Sequence, residues 1–142
     1  MMCKLVLLPL LLLAACAAPK QHYFTNSEVI AAPYAQVWQQ AVTVAATHNI
    51  PIKLMDVASG YIEVEPRVAD GNGGYDCGMT GLAIPLQTMG ALNLRLQPVQ
   101  GGTQVTVTVS YNQISDLGGN SFVHPCTSTG VIESNWLRAL KG

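Results

Sequence analysis

The chain has 142 residues, 49% of them hydrophobic and only 11% charged, with a formal net charge of −1 at pH 7. Seven Lys or Arg stand against eight Asp or Glu, dispersed along the sequence. No basic patch exists to neutralise a row of phosphates, so composition argues against nucleic-acid binding, and no repeat or charge block divides a length that suits one domain.

Met1 to Lys4 is a short positive stretch with one cation, Lys4, and Leu5 to Leu13 is almost wholly aliphatic around Pro9. A membrane-spanning helix needs about 20 apolar residues. This run is far shorter and fits the apolar region of a secretory signal peptide. Leu13-Ala14-Ala15-Cys16 closes it, with two small residues before a cysteine and a polar chain behind. That order resembles the lipobox of bacterial lipoproteins. The resemblance implies that residues 1–15 are removed as a signal peptide and that Cys16 becomes the lipidated first residue, carrying palmitate-type acyl chains. It also implies that Ala17, where an aspartate would signal inner-membrane retention, leaves the protein at the outer membrane facing the periplasm. The competing reading is an ordinary secretory signal cut after Ala18. Residues 16–22 then form a lipidated N-terminus and tether, and residues 23–142 a single domain.

Thr25 to Ala31, with Val29 and Ile30, predicts a first strand, and Pro33 opens a helix where its missing N–H does no harm. Tyr34, Val37, Trp38, Ala41, Val42 and Ala45 recur at spacings of three and four, one apolar stripe of a helix running to His48. Trp38 reads as a packing residue on that stripe. Asn49 and Pro51 stop the helix. Pro51 to Val57 predicts a strand with Ile52 and Leu54 inward, and Ser59-Gly60 turns it into a second strand with Ile62 and Val64 inward. Glu63 and Glu65, two apart, share the wet face of that strand. As a pair they lack the companion acid and cleft motif that glycoside hydrolysis requires.

Ala69 to Gly90 reads as a flexible loop. Asp70-Gly71-Asn72-Gly73-Gly74 opens it, and Gly78, Gly81 and Pro85 interrupt the apolar residues Met79, Leu82, Ile84, Leu86 and Met89. No GxxxxGK[ST] pattern makes it a phosphate cradle. Its apolar residues combined with backbone freedom make it the expected contact region, the alternative being that these residues form an extra strand or fold inward. Ala91 to Gln97 alternates cleanly, with Leu92, Leu94 and Leu96 on one face. After Gln100-Gly101-Gly102 the alternation resumes in Val105, Val107, Val109 and Tyr111. This hairpin has one dry face, which helices must cover. Asn112 to Pro125 is polar and turn-rich. Thr127-Ser128-Thr129 is placed to cap a last helix over Val131 to Lys141, with Ile132, Trp136 and Leu140 on one stripe.

Of the four cysteines, Cys3 leaves with the signal peptide and Cys16 is the anchor, so Cys77 and Cys126 remain. In an oxidising compartment an isolated pair defaults to a disulfide. Closing a loop of about 50 residues stabilises the fold by roughly 4 kcal/mol in the chain-entropy picture. A metal site built from Asp76, Cys77, His124 and Cys126 is the alternative, and the missing Cys-x-x-Cys spacing speaks against it.

Strand, helix, two strands, loop, two strands and terminal helix make an α+β domain, a curved antiparallel sheet with two helices on one face. Ala32-Pro33-x-x-x-Val37-Trp38 followed by Asp56-x-x-x-Gly60-Tyr61-Ile62 resembles the opening of helix-grip domains. The rhythm is similar to the BamC-type lipoproteins of outer-membrane assembly. Cys126-x-Ser128-x-Gly130-Val131-Ile132-Glu133, with Leu137, resembles the end of many envelope lipoproteins. These likenesses imply a non-catalytic, membrane-anchored accessory or structural subunit of an envelope complex, with an envelope protein as partner and no cofactor. The alternative is a periplasmic binding module that holds an apolar ligand such as a lipid between sheet and helix. An enzyme is a distant third, because no Gly-x-Ser-x-Gly or His-Glu-x-x-His run exists and His22, His48 and His124 are scattered.

Overall fold

The computed structural model describes residues 17–142, so the signal peptide 1–15 and Cys16 lie outside the described residues. In chain order the elements are β1 (Ser27–Ile30), α1 (Tyr34–Thr47), β2 (Ile52–Asp56), β3 (Tyr61–Val64), β4 (Arg67–Val68), β5 (Tyr75–Asp76), β6 (Ile84–Val99), β7 (Gly102–Leu117), β8 (Asn120–Ser128) and α2 (Val131–Lys141). The class is α+β. All strand pairings are antiparallel, in the order β2-β3-β6-β7-β8-β5, with β1 added to β7 and β4 to β6.

The hairpin of β6 and β7, each of 16 residues, is the spine. Its half nearest the Gln100-Gly101 turn carries the strict alternation of Leu92, Leu94, Leu96, Val105 and Val107, and these side chains are buried. Val37, Ala41 and Ala45 of α1 and Trp136, Leu137 and Leu140 of α2 join them in one cluster. Both helices therefore cover the same face. Small residues at every fourth position of α1 let it approach the sheet closely, and Trp38 is half-buried at the cluster's edge, stacked on Tyr34 at 6.1 Å. Pro33 is the residue before α1 rather than its first, and Asn49, in the left-handed region at φ 51°, ends the helix.

Three expectations need correction. A bulge between Ile52 and Leu54 shifts the β2 register, so Leu54 faces Glu63 and Met55 faces Ile62. The extra residue breaks the in-and-out alternation, and Leu54 and Met55 are both about half-exposed instead of Leu54 being buried. Next, Asn112 to Pro125 is no polar loop. It supplies the end of β7, a tight turn and most of β8. The turn, Gly118-Gly119 at φ 61° and 90°, has the two positive angles that a two-residue hairpin requires. Finally, the segment from Ala69 to Gly90 is not one loop. β5 forms within it, and β6 begins at Ile84, with a register shift at Pro85 where a missing N–H is tolerated.

As a result the sheet continues past the helices as an arm made of residues 84–90, 111–117 and 120–128. On the face continuous with the core, the arm buries polar side chains. Thr88 is 5% exposed and accepts a hydrogen bond from Gln113 at 3.1 Å, and Ser115 is fully buried.

Candidate functional site

Two features could meet a partner: a cleft where the helices end, and the exposed apolar residues at the far end of the arm. The cleft opens between α2 and the sheet and encloses about 390 Å³. Leu92, Val109 and Tyr111 contribute from the sheet and Ile132 and Trp136 from α2, while Arg67 and Asp70 add charge. Volume and mixed lining fall in the range of small-ligand sites.

Tyr111 sits where core becomes arm. Its register partner across the hairpin is Gly90, where a Cβ would come within 2.9 Å of the tyrosine ring. Only a glycine leaves that ring room to lie flat on the sheet. Tyr75 packs beside it, ring centroids 5.1 Å apart. Burial, followed by the nearby carboxylates of Glu133 and Asp70, pushes the Tyr111 phenol up to about 12. It is a neutral hydroxyl at any physiological pH.

Glu133 is a buried acid, 2% exposed, in the first turn of α2. The Ser128 hydroxyl donates to its carboxylate at 2.9 Å and accepts from the Gly130 N–H at 3.1 Å. Gly130 itself precedes the helix at φ 85°, and no side chain caps α2. The capping expected of Thr127-Ser128-Thr129 is therefore not made: Ser128 bonds the Gly130 N–H and Glu133 instead, and Glu133 lies in the first turn, at the positive helix end.

Cys77 and Cys126 are brought to disulfide-bonding distance, 1.97 Å between sulfurs, 49 residues apart in sequence. Cys126 stands opposite Tyr111 in the β7–β8 register, so the pair fastens the segment after β5 to the base of the arm. The residues weighed as metal ligands go elsewhere. Asp76 accepts from the Gly78 N–H at 2.8 Å and lies 3.4 Å from His22, contacts that hold its carboxyl below the usual range. His124 lies against the Phe122 ring at 5.7 Å. No group of three His, Cys, Asp or Glu is placed to hold a metal among the described residues.

Cys16 lies outside the described residues, but the tether after it is defined. The Met79 N–H donates to the Ala17 carbonyl at 2.9 Å, and the Thr127 hydroxyl donates to that of Lys20 at 2.7 Å. The Lys20 N–H reaches Asp76 at 3.4 Å. Residues 17–22 thus run antiparallel to residues 76–79 and are bonded to the domain.

Of the expected contact residues, Met79 and Leu82 lie in the short connection before β6, Leu82 being 90% exposed. Ile84, Leu86 and Met89 belong to strand β6 rather than to a loop; Ile84 and Leu86 remain well exposed and Met89 is half-buried. Sequence reasoning missed the cleft, Glu133 and the arm. The Gly118-Gly119 pair between alternating stretches was the available signal for the arm. The lone glutamates have plain roles: Glu63 pairs with Lys53 at 2.8 Å, and Glu65 is exposed just beyond β3. Compared with known proteins, the chain matches no protein-family model, and no curated protein shows significant sequence similarity to it.

Proposed function

We propose that this protein is a non-catalytic lipoprotein of the bacterial outer membrane, anchored through Cys16 and facing the periplasm, that acts by surface contact as an accessory or structural subunit of an envelope complex. The lipobox-like Leu13-Ala14-Ala15-Cys16 is the sequence basis. The observation that supports a role by surface contact is the exposure of Met79, Leu82, Ile84 and Leu86, expected contact residues that the fold leaves uncovered. The helix-grip and BamC-type resemblance agrees with an antiparallel sheet bearing two helices on one face.

The test is Cys16→Ser. Wild-type protein should incorporate an alkyne fatty acid and fractionate with the outer membrane. The variant should lose the label and accumulate as the uncut precursor. A variant that is processed normally and stays on the outer membrane would defeat the reading. Crosslinking in intact cells would then identify the neighbours.

The cleft favours a second reading, a binding module for an apolar ligand. A space of about 390 Å³ bounded by Leu92, Val109, Ile132 and Trp136 is large enough for part of an acyl chain. Native mass spectrometry of protein drawn from its own membrane should show a bound apolar molecule that Ile132→Trp, filling the cleft, removes. A bare protein mass leaves surface contact as the function.

A further inference from the structure

We propose that the cleft beside α2 binds a zwitterionic single-chain phospholipid, with its acyl tail on the apolar floor, its phosphate at Arg67 and its ammonium at Asp70. This rests on the reading of the cleft as a ligand site and names the class of ligand.

The cleft extends beyond its apolar part. A second hollow of about 410 Å³ shares Ile50, Arg67, Asp70, Ile132 and Trp136 with it, so the two adjoin as one groove. Its ends differ in chemistry. At the sheet end the floor is Val64, Leu92 and Val109, closed in by Tyr111 and Ile132. At the other end His48 and Asn135, both exposed, stand beside Val44 and Ala139. An apolar chamber that opens into a more polar one suits a molecule with a tail and a head.

The charges stand at the junction. Arg67 and Asp70 border both halves of the groove, and both are exposed. Backbone pairing of Arg67 with Gly90 fixes the base of that cation at the edge of the floor. Among the described residues the ion pairs join His22 to Asp76, Lys53 to Glu63 and Lys141 to Glu28. Arg67 and Asp70 therefore pair neither with each other nor with another charge. The Asp70 carboxylate accepts only from the Asn72 side-chain amide, two residues on. Exposed charges often stand alone. Two of opposite sign at the mouth of one apolar floor match a phosphate joined to an ammonium. Glu65 adds a second carboxylate to the sheet half, so carboxylates outnumber the guanidinium there. That balance disfavours a wholly anionic head such as a fatty-acid carboxylate. A bare ammonium would instead leave Arg67 unmatched. A guanidinium can hold two phosphate oxygens at once, which assigns the phosphate to Arg67.

The experiment uses the mature protein held in amphipol and single-chain lipids with a photoreactive diazirine in the tail. One probe has a phosphoethanolamine head, one a free carboxylate and one an uncharged glycerol ester. Mass spectrometry of the digested protein then maps the labelled residues. The phosphoethanolamine probe should label peptides holding Leu92, Val109 or Ile132 several-fold more than either other probe. Arg67→Gln and Asp70→Asn, both at exposed positions, should each cut that labelling several-fold with Tm unchanged. Arg67→Lys should restore part of it, and Ile132→Trp should remove it. The comparison of probes on the wild type decides the matter whether or not a variant folds. Equal labelling of the cleft by all three probes, or labelling indifferent to Arg67→Gln and Asp70→Asn, overturns the proposal and leaves the cleft a site for apolar molecules. Cleft peptides unlabelled by every probe remove the ligand site and the proposal together.

Discussion

Tyr111 shows how much one residue decides in this molecule. It ends the apolar alternation of β7, lies over Gly90, touches the neighbourhood of Glu133 and lines the cleft. Its phenol is raised from 10.0 to about 12, chiefly because burial disfavours the phenolate. The folded state thus holds the Tyr111 proton more tightly than the unfolded chain does. The resulting stabilisation is fully present below pH 10 and is lost as pH rises through the folded value near 12. Absorbance titration should find a tyrosine that ionises late, in company with alkaline unfolding, and Tyr111→Phe should remove that late step and move unfolding to higher pH. If the variant unfolds at the same pH as the wild type, the buried phenol is not the group that limits alkaline stability. Glu133, 2% exposed, is met in the interior by the Ser128 hydroxyl at 2.9 Å, in the first turn of α2.

Among the elements, β5 depends most on the link between Cys77 and Cys126, since it pairs with β8 over only two residues. A crosslink closing 49 residues removes denatured-state entropy amounting to about 4 kcal/mol. Cys77→Ser with Cys126→Ser should therefore lower Tm by roughly 10 °C or more, and the unreduced wild type should have a mass two hydrogens below the dithiol form. Two free thiols in the mature protein, or an unchanged Tm, would remove the link from the fold's stability. The cysteine pair was legible because two isolated cysteines outside any Cys-x-x-Cys spacing have few other fates. The core half of β6–β7 was legible because Leu92 to Leu96 and Val105 to Val109 alternate without exception. The arm was not, and the reason is physical. Its inward positions carry Thr88, Gln113 and Ser115, which satisfy one another by hydrogen bonding and erase the apolar period that marks a strand. The bulge in β2 was hidden for a related reason, since a single inserted residue has no compositional trace. The cleft draws on residues from Ile50 to Trp136 and exists only once the helices are in place.

For the whole molecule, one continuous hairpin passes through two environments. From Leu92 to Val107 it lies beneath α1 and α2, in the cluster where Leu94, Val105 and Val107 are wholly buried. From Ile84 to Gly90 and from Tyr111 to Leu117 it has no helix over it, and exposed side chains such as Ile84, Leu86 and Leu117 line its outer surface. Local opening free energies follow the density of buried apolar contact, so the two halves of the hairpin should differ even though their backbone ladder is unbroken. Amides of Leu94, Val105 and Val107 are expected to exchange only on global unfolding. Those of residues 84–88 and 113–117 should exchange at least about tenfold faster, equivalent to about 1.4 kcal/mol less protection. Equal protection along the whole hairpin would show that the arm and core open as one unit, and the arm would then be a rigid extension of the core. A slow core beside a faster arm would place the adaptable part of the protein beyond Tyr111, in the stretch that ends at the Gly118-Gly119 turn.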